Sequence, residues 1–162
     1  MKSSTQYDAQ SLKENEIELR TAIVTEARSW LGTNYHDHAK VKGLNGGVDC
    51  AQLIACVFAS AGVIKPLEIP YYSPHQFLHS DAEDYMRTVE SFARQIDEAA
   101  ALPGDVVLYK LGRAFGHGAI IIDPGWPNII HAWAPARMVV RGHGLEENLG
   151  TRWRERRFFT VF

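Results

Sequence analysis

The chain has 162 residues, 46% hydrophobic and 22% charged, which suits one globular domain with a real core and excludes a disordered or low-complexity chain. Seventeen basic against nineteen acidic residues give a formal net charge of -2, so bulk electrostatics make no case for a nucleic-acid partner. No apolar run approaches the roughly 18 residues of a membrane span, and the N-terminus lacks an apolar secretory segment, so the expectation is synthesis in the cytoplasm without membrane insertion.

In chain order, residues 1–13 are polar and read as a flexible N-terminal tail ahead of one domain over 14–162. From Asn15 the pattern Ile17, Ala22, Ile23, Ala27, Trp30 and Leu31 predicts an amphipathic helix that stops at Gly32. Residues 32–48 read as a loop rich in glycine and histidine. Asp49 then caps a helix that runs through "CAQLIACVFAS" to about Gly62. "PLEIPYYSPHQFLHSD" carries three prolines and reads as an extended connection, followed by a third helix from about Asp81 to Gln95. From "LPGDVVLYKL" onward the pattern changes to short runs of Val, Ile and aromatics, with strands expected near 105–111, 117–123, 128–133, 138–141 and 153–162. "DPGWPN" (123–128) marks a turn that makes two of them an antiparallel hairpin. Helices first and strands afterwards predict an α+β fold with the N-terminal helices packed on a five- to six-stranded antiparallel sheet.

Chemistry concentrates where the glycine-rich "GLNGGVDC" meets the second helix. A helix start carries unpaired N–H groups and the positive end of the helix dipole. A Cys50 thiolate there should be stabilised below the roughly 8.5 of a free cysteine, and the same N–H groups can donate to an oxyanion. Cys56 lies six positions on, about 240° around the helix, so the two thiols diverge; among Ile54, Ala55, Val57 and Phe58 it reads as a core residue. His117, beside glycines at a strand start, is the candidate base. If the hairpin register is even, His131 on the next strand faces the same side in diagonal contact and can orient the His117 ring. An odd register separates them, and the sequence leaves that choice open.

"WLGTNY" (30–35), "GGVDCAQLIACVF" (46–58), "LPGDVVLYKLGRAFGHGAIIID" (102–123) and "IIHAW" (129–133) together resemble, in order, the blocks of the NlpC-type cell-wall cysteine peptidases, which have a papain-like fold. The loops "YHDHAKVKG" and "PYYSPHQFLH" resemble the phage branch found in tail modules. The resemblance implies Cys50 as nucleophile, His117 as base and His131 as the orienting residue. It implies Tyr35 as a site-lining donor near the oxyanion and Asp49 as a residue that can hold the amine of a stem peptide. It further implies a peptidoglycan stem-peptide substrate, cut after D-glutamate, with phage tail proteins as partners and incorporation in the virion tail. No cofactor is implied. Ala51-Gln52 departs from the usual Ser-Gly and alters the pocket floor, and Asn34 stands where proline is usual.

Three other readings follow from the same residues. His36 and His38 with Asp37 and Asp49 could bind a metal, though their spacing is no recognised zinc signature, so no metal site is expected. A tail-assembly protein could retain the fold without cutting, and an acyltransferase or deamidase could use the same triad. In "TRWRERRFF", Arg152, Arg154 and Arg156 alternate onto one strand face, which reads as a solvated edge that resists pairing.

Overall fold

The computed structural model describes residues 4–70, 83–146, 149 and 154–162. Helix α1 spans Ser4–Ser29, so it reaches back through residues that the sequence pattern assigned to a tail. Its buried stripe of Ile23, Val24 and Ala27, continued by Trp30 just past its end, is spaced i, i+1, i+4, i+7, one face of a helix lying on a core. Gly32 follows at φ +83°, a left-handed conformation that ends the helix at little cost only for glycine.

Residues 32–48 are not featureless. Two short strands, β1 (Lys40–Val41) and β2 (Gly47–Val48), pair antiparallel within them. Helix α2 (Cys50–Ser60) follows, with Asp49 as its N-cap in extended conformation. Helix α3 is shorter than expected, Asp84–Glu90, because the chain turns into strand β3 (Arg94–Ile96), which the sequence pattern missed. A three-residue strand with two exposed positions has too little alternation to be seen. Most of the proline-rich connection lies outside the described residues, as does Arg152.

Strands β4 (Val106–Leu111), β5 (Ala114–Ile121), β6 (Asn128–Trp133), β7 (Met138–His143) and β8 (Arg156–Thr160) complete a six-stranded antiparallel sheet in the order β3-β8-β4-β5-β6-β7. This is the α+β architecture expected, with the sixth strand at the β8 edge. "DPGWPN" joins β5 to β6 as the turn signal predicted. The helix-covered face buries Val106, Leu108, Ile120, Ile130 and Phe159 against Ile23, Leu53, Ile54 and Phe58. A second cluster on the other face holds Val107, Tyr109, Ala119, Ile121, Ile129, Leu149 and Phe158. Covering both faces explains why β4 reads as an unbroken apolar run rather than an alternating one.

Arg20 of α1 clamps this assembly. It donates to the Asp105 carboxylate at 2.8 Å and to the Pro103 carbonyl at 3.0 Å, while the second Asp105 oxygen accepts from the Leu102 N–H at 2.8 Å. Asp105 is buried, so removing it strands a guanidinium and an amide with unmet hydrogen bonds. Asp105→Ala should lower the unfolding free energy by about 3 kcal/mol. Urea unfolding of the variant checks this, and a loss under about 1 kcal/mol would show that the clamp is dispensable.

Candidate active site

Asp49 sets the geometry of the site. One carboxylate oxygen accepts from the Gln52 N–H at 2.9 Å in the first turn of α2, and the other accepts from the His38 N–H at 2.7 Å. The side chain is buried and ties the 36–48 segment to the start of α2. Cys50 is therefore presented at a fixed helix mouth, as the sequence predicted. Its sulfur lies against the backbone on either side of His117: the Gly116 carbonyl accepts from it at 3.9 Å, and the Gly118 and Ala51 N–H groups donate to it.

The reactivity expected of that thiol does not follow. Burial, and then the Asp49 charge, push the Cys50 pKa up to about 12. The helix-start N–H groups lower it but do not offset the loss of water. A helix dipole is a local property legible in residue order, whereas burial is not, and Cys50 is only 8% exposed. Cys56 is half-buried against the same core, is not bonded to Cys50, and has its own pKa raised by burial.

The two histidines do come together. β5 and β6 pair Ile120 with Ile130 and Ile121 with Ile129, an even register that sets His117 and His131 diagonally on one face. Their rings are joined by a hydrogen bond between His117 Nε2 and His131 Nδ1 at 2.9 Å. Trp133, two positions after His131, stacks on it at 5.1 Å between centroids and packs on His117 at 4.9 Å. That i, i+2 spacing was available in the sequence and was overlooked. A bulge in β5, where Tyr109 opposes His117 but Lys110 opposes Phe115, leaves Gly116 as the extra residue and turns its carbonyl to the thiol.

Burial, then His131, then Arg154 hold His117 well below the usual histidine range, and burial alone holds His131 at about 4. Both rings are neutral at pH 7. His131 Nε2 is buried with no hydrogen-bond partner among the described residues. Among them, too, no hydrogen bond joins the thiol to the His117 ring, although both line one cleft of about 780 Å³.

Tyr35 lines the same cleft, positioned by hydrogen bonds from its N–H to the Arg137 carbonyl at 2.8 Å and from His36 N–H to the Val48 carbonyl at 3.1 Å. Its phenol bonds Asp37, and burial together with the Cys50, Asp37 and Asp49 charges raises its pKa. Ala51 forms floor and Gln52 is buried behind it. Asn34 donates to the Leu44 carbonyl at 2.6 Å, a role proline could not fill. His36 bonds the adjacent Asp37 carbonyl, and among the described residues no three metal-ligating groups converge. Tyr85 also lines the cleft, with its Oη 2.5 Å from where a Cβ on Gly118 would lie, and no sequence pattern marked it. Arg154 donates to the Lys110 carbonyl at 2.8 Å and Arg156 lies 3.7 Å from Glu98, so neither projects freely from the sheet edge.

No family model matches this sequence, and no curated protein matches it. Solved structures do. The NlpC/p60 domain of the peptidoglycan hydrolase SagA superposes with a TM-score of 0.58 at 22% identity, over 88% of this chain and 98% of that one. The peptidoglycan hydrolase RipB from Mycobacterium tuberculosis gives 0.60 at 19%, over 92% and 67%. The P60 domain of an antigen from M. avium subspecies paratuberculosis gives 0.57 at 18%, over 89% and 95%. The chain therefore has the NlpC/p60 fold, a papain-like arrangement of helices on a six-stranded antiparallel sheet.

The histidine pair gives stability a pH dependence. Unfolded histidines bind protons near pH 6.5, whereas His131 does so near 4 in the folded chain and His117 well below 6.5. The folded state is thus fully favoured above about 6.5 and loses up to ~1.4 kcal/mol per pH unit for each histidine as pH falls from there toward 4. Melting curves between pH 7.5 and 4.5 should show that decline, with a shallower one in His131→Asn.

Proposed function

We propose that this protein is a cysteine peptidase that hydrolyses an amide bond in peptidoglycan stem peptides, the bond between γ-D-glutamate and the diamino acid. The observation that carries it is the Cys50 sulfur at a helix start, in a cleft lined by His117, whose ring is hydrogen-bonded to the buried His131. The cleft's volume of about 780 Å³ has room for a short peptide segment, and the solved structures sharing the fold include proteins described as peptidoglycan hydrolases.

The electrostatics define the kind of catalysis. With the thiol near 12 and His117 well below its usual range, a thiolate–imidazolium pair is not populated at rest. Deprotonation must accompany attack, with His117 as general base. His117 Nε2 is engaged by His131, which leaves Nδ1 for the thiol proton. The sulfur bonds the carbonyl carbon, the proton passes through His117 to the departing amine, and water then hydrolyses the thioester. A thiol–imidazole hydrogen bond missing without substrate is compatible with this, because such bonds commonly tighten only in the bound complex. Asp49, fully engaged in holding α2, supports the nucleophile's position; holding a stem-peptide amine would be a second task for it. The two loops that resemble the phage branch extend the proposal to an enzyme carried in a virion tail.

One observation favours a second reading. A deeply protonated thiol with no hydrogen bond to His117 among the described residues is what a structural tail protein retaining the fold would show. Digestion separates the two. Mass spectrometry of muropeptides should show cleavage after D-glutamate by the parent chain, none by Cys50→Ala, and at least a hundredfold less by His117→Ala. Cleavage retained in Cys50→Ala would remove the thiol from the mechanism.

A further inference from the structure

The cleft carries its charges unequally. Among the described residues that line it, Asp37, Asp49, Glu68 and Asp84 are acidic, and Arg87 of α3 is the one lasting cation, since burial keeps His117 neutral. Asp49 is committed to the Gln52 and His38 N–H groups, and Glu68 lies 3.2 Å from Lys40. Helix α3 fixes Arg87 at the rim, because Met86 and Val89 are buried on the core and Phe92, just beyond, packs on Phe58 at 6.0 Å between ring centroids. The guanidinium makes one polar contact among the described residues, 3.4 Å to the Asp84 carboxylate, with the two side chains 72% and 56% exposed. An ion pair so long and so exposed contributes little. A guanidinium presents five N–H donors in a planar fork, so most of them remain for a carboxylate entering the cleft.

The substrate class proposed above brings such a group. A glutamyl residue joined through its γ-carbonyl keeps its α-carboxyl as an anion, a short aliphatic arm from the carbon that Cys50 attacks. Against walls otherwise lined by carboxylates, that anion is repelled unless it meets Arg87. We infer that Arg87 sets the specificity of this cleft, taking the α-carboxylate of the γ-glutamyl residue in a bidentate bond and so selecting stem peptides in which that group is free over those in which it is amidated. The inference rests on the peptidase reading above and names the side chain that reads the acyl side of the scissile bond. A carboxamide has the same shape and no charge, so it forfeits the charge-assisted pair with the guanidinium.

Two synthetic stem peptides test this, identical except that one carries the D-glutamate α-carboxylate and the other its α-carboxamide. Calorimetry on Cys50→Ala, which holds either peptide uncut, should show the carboxylate form bound about tenfold more tightly, the effect of one charge-assisted pair. Adding Arg87→Gln should bring that ratio to about one, and Arg87→Lys should recover part of it. Arg87 is exposed, so both variants should melt within about 2 °C of Cys50→Ala. With the parent chain the same preference should appear in kcat/KM, carried by KM. A ratio under about twofold in Cys50→Ala, or a tenfold ratio that survives Arg87→Gln, overturns the inference. Binding needs no cleavage, so a tenfold ratio in a parent chain that cuts neither peptide ends the hydrolase reading and keeps the role of Arg87. Equal cleavage of both peptides does the reverse, and a chain that binds neither overturns both.

Discussion

The site depends on one buried carboxylate. Asp49 accepts two backbone hydrogen bonds, from Gln52 inside α2 and from His38 in the preceding segment, and has almost no contact with water. An ion with so little solvent is tolerable only where such donors meet it. The chain before α2 must therefore fold back to supply the His38 amide, and His38 adopts φ +61° to do so. That fold-back pairs β1 with β2, seats Tyr35 beside Val48 and closes one wall of the cleft. The same charge then works against ionisation of the Cys50 thiol, since it is the second cause of its raised pKa. Position and reactivity of the thiol are set by one residue in opposite senses.

The sheet supplies the other half. β5 and β6 carry the histidines on one face in even register, and Trp133 and Tyr109 crowd the rings so that each has a restricted orientation. Crowding excludes water, which is why both histidines stay neutral well into acid. In the proposed reaction a base kept neutral is ready to accept a proton, but it offers no standing positive charge to stabilise a thiolate. The proposed proton transfer must therefore accompany attack. The bulge at Gly116 and the missing side chain at Gly118 bring the backbone on both sides of His117 against the sulfur, a closeness that larger residues would prevent.

Much of this was legible in the residue order. The amphipathic spacing of α1, the Asp-Cys start of α2, the turn at "DPGWPN" and the five longer strands each follow from local patterns, because each is a matter of period, cap or turn chemistry. Cys50, His117, His131, Tyr35 and Asp49 could all be named, and all border or support the one cleft. What local patterns missed was short or remote. β3 has three residues and earns its place only by pairing with β8, more than sixty residues away. Tyr85 lies on a short helix, and only the folded chain brings its phenol into the cleft, where Gly118 leaves room for it.

The sequence by itself determined which groups the site holds: a thiol at a helix mouth, two strand histidines, and the capping aspartate that aims the thiol. It also determined that a hairpin would join the histidine strands. Only the tertiary structure decided the register of that hairpin, and with it the contact between His117 and His131. Only the tertiary structure decided how deeply the thiol and imidazoles are buried, and so their proton affinities. The reason is one of range. Caps, periods and turns act within a few residues, whereas register and desolvation are settled by what distant segments bring against a group once the chain has closed around it.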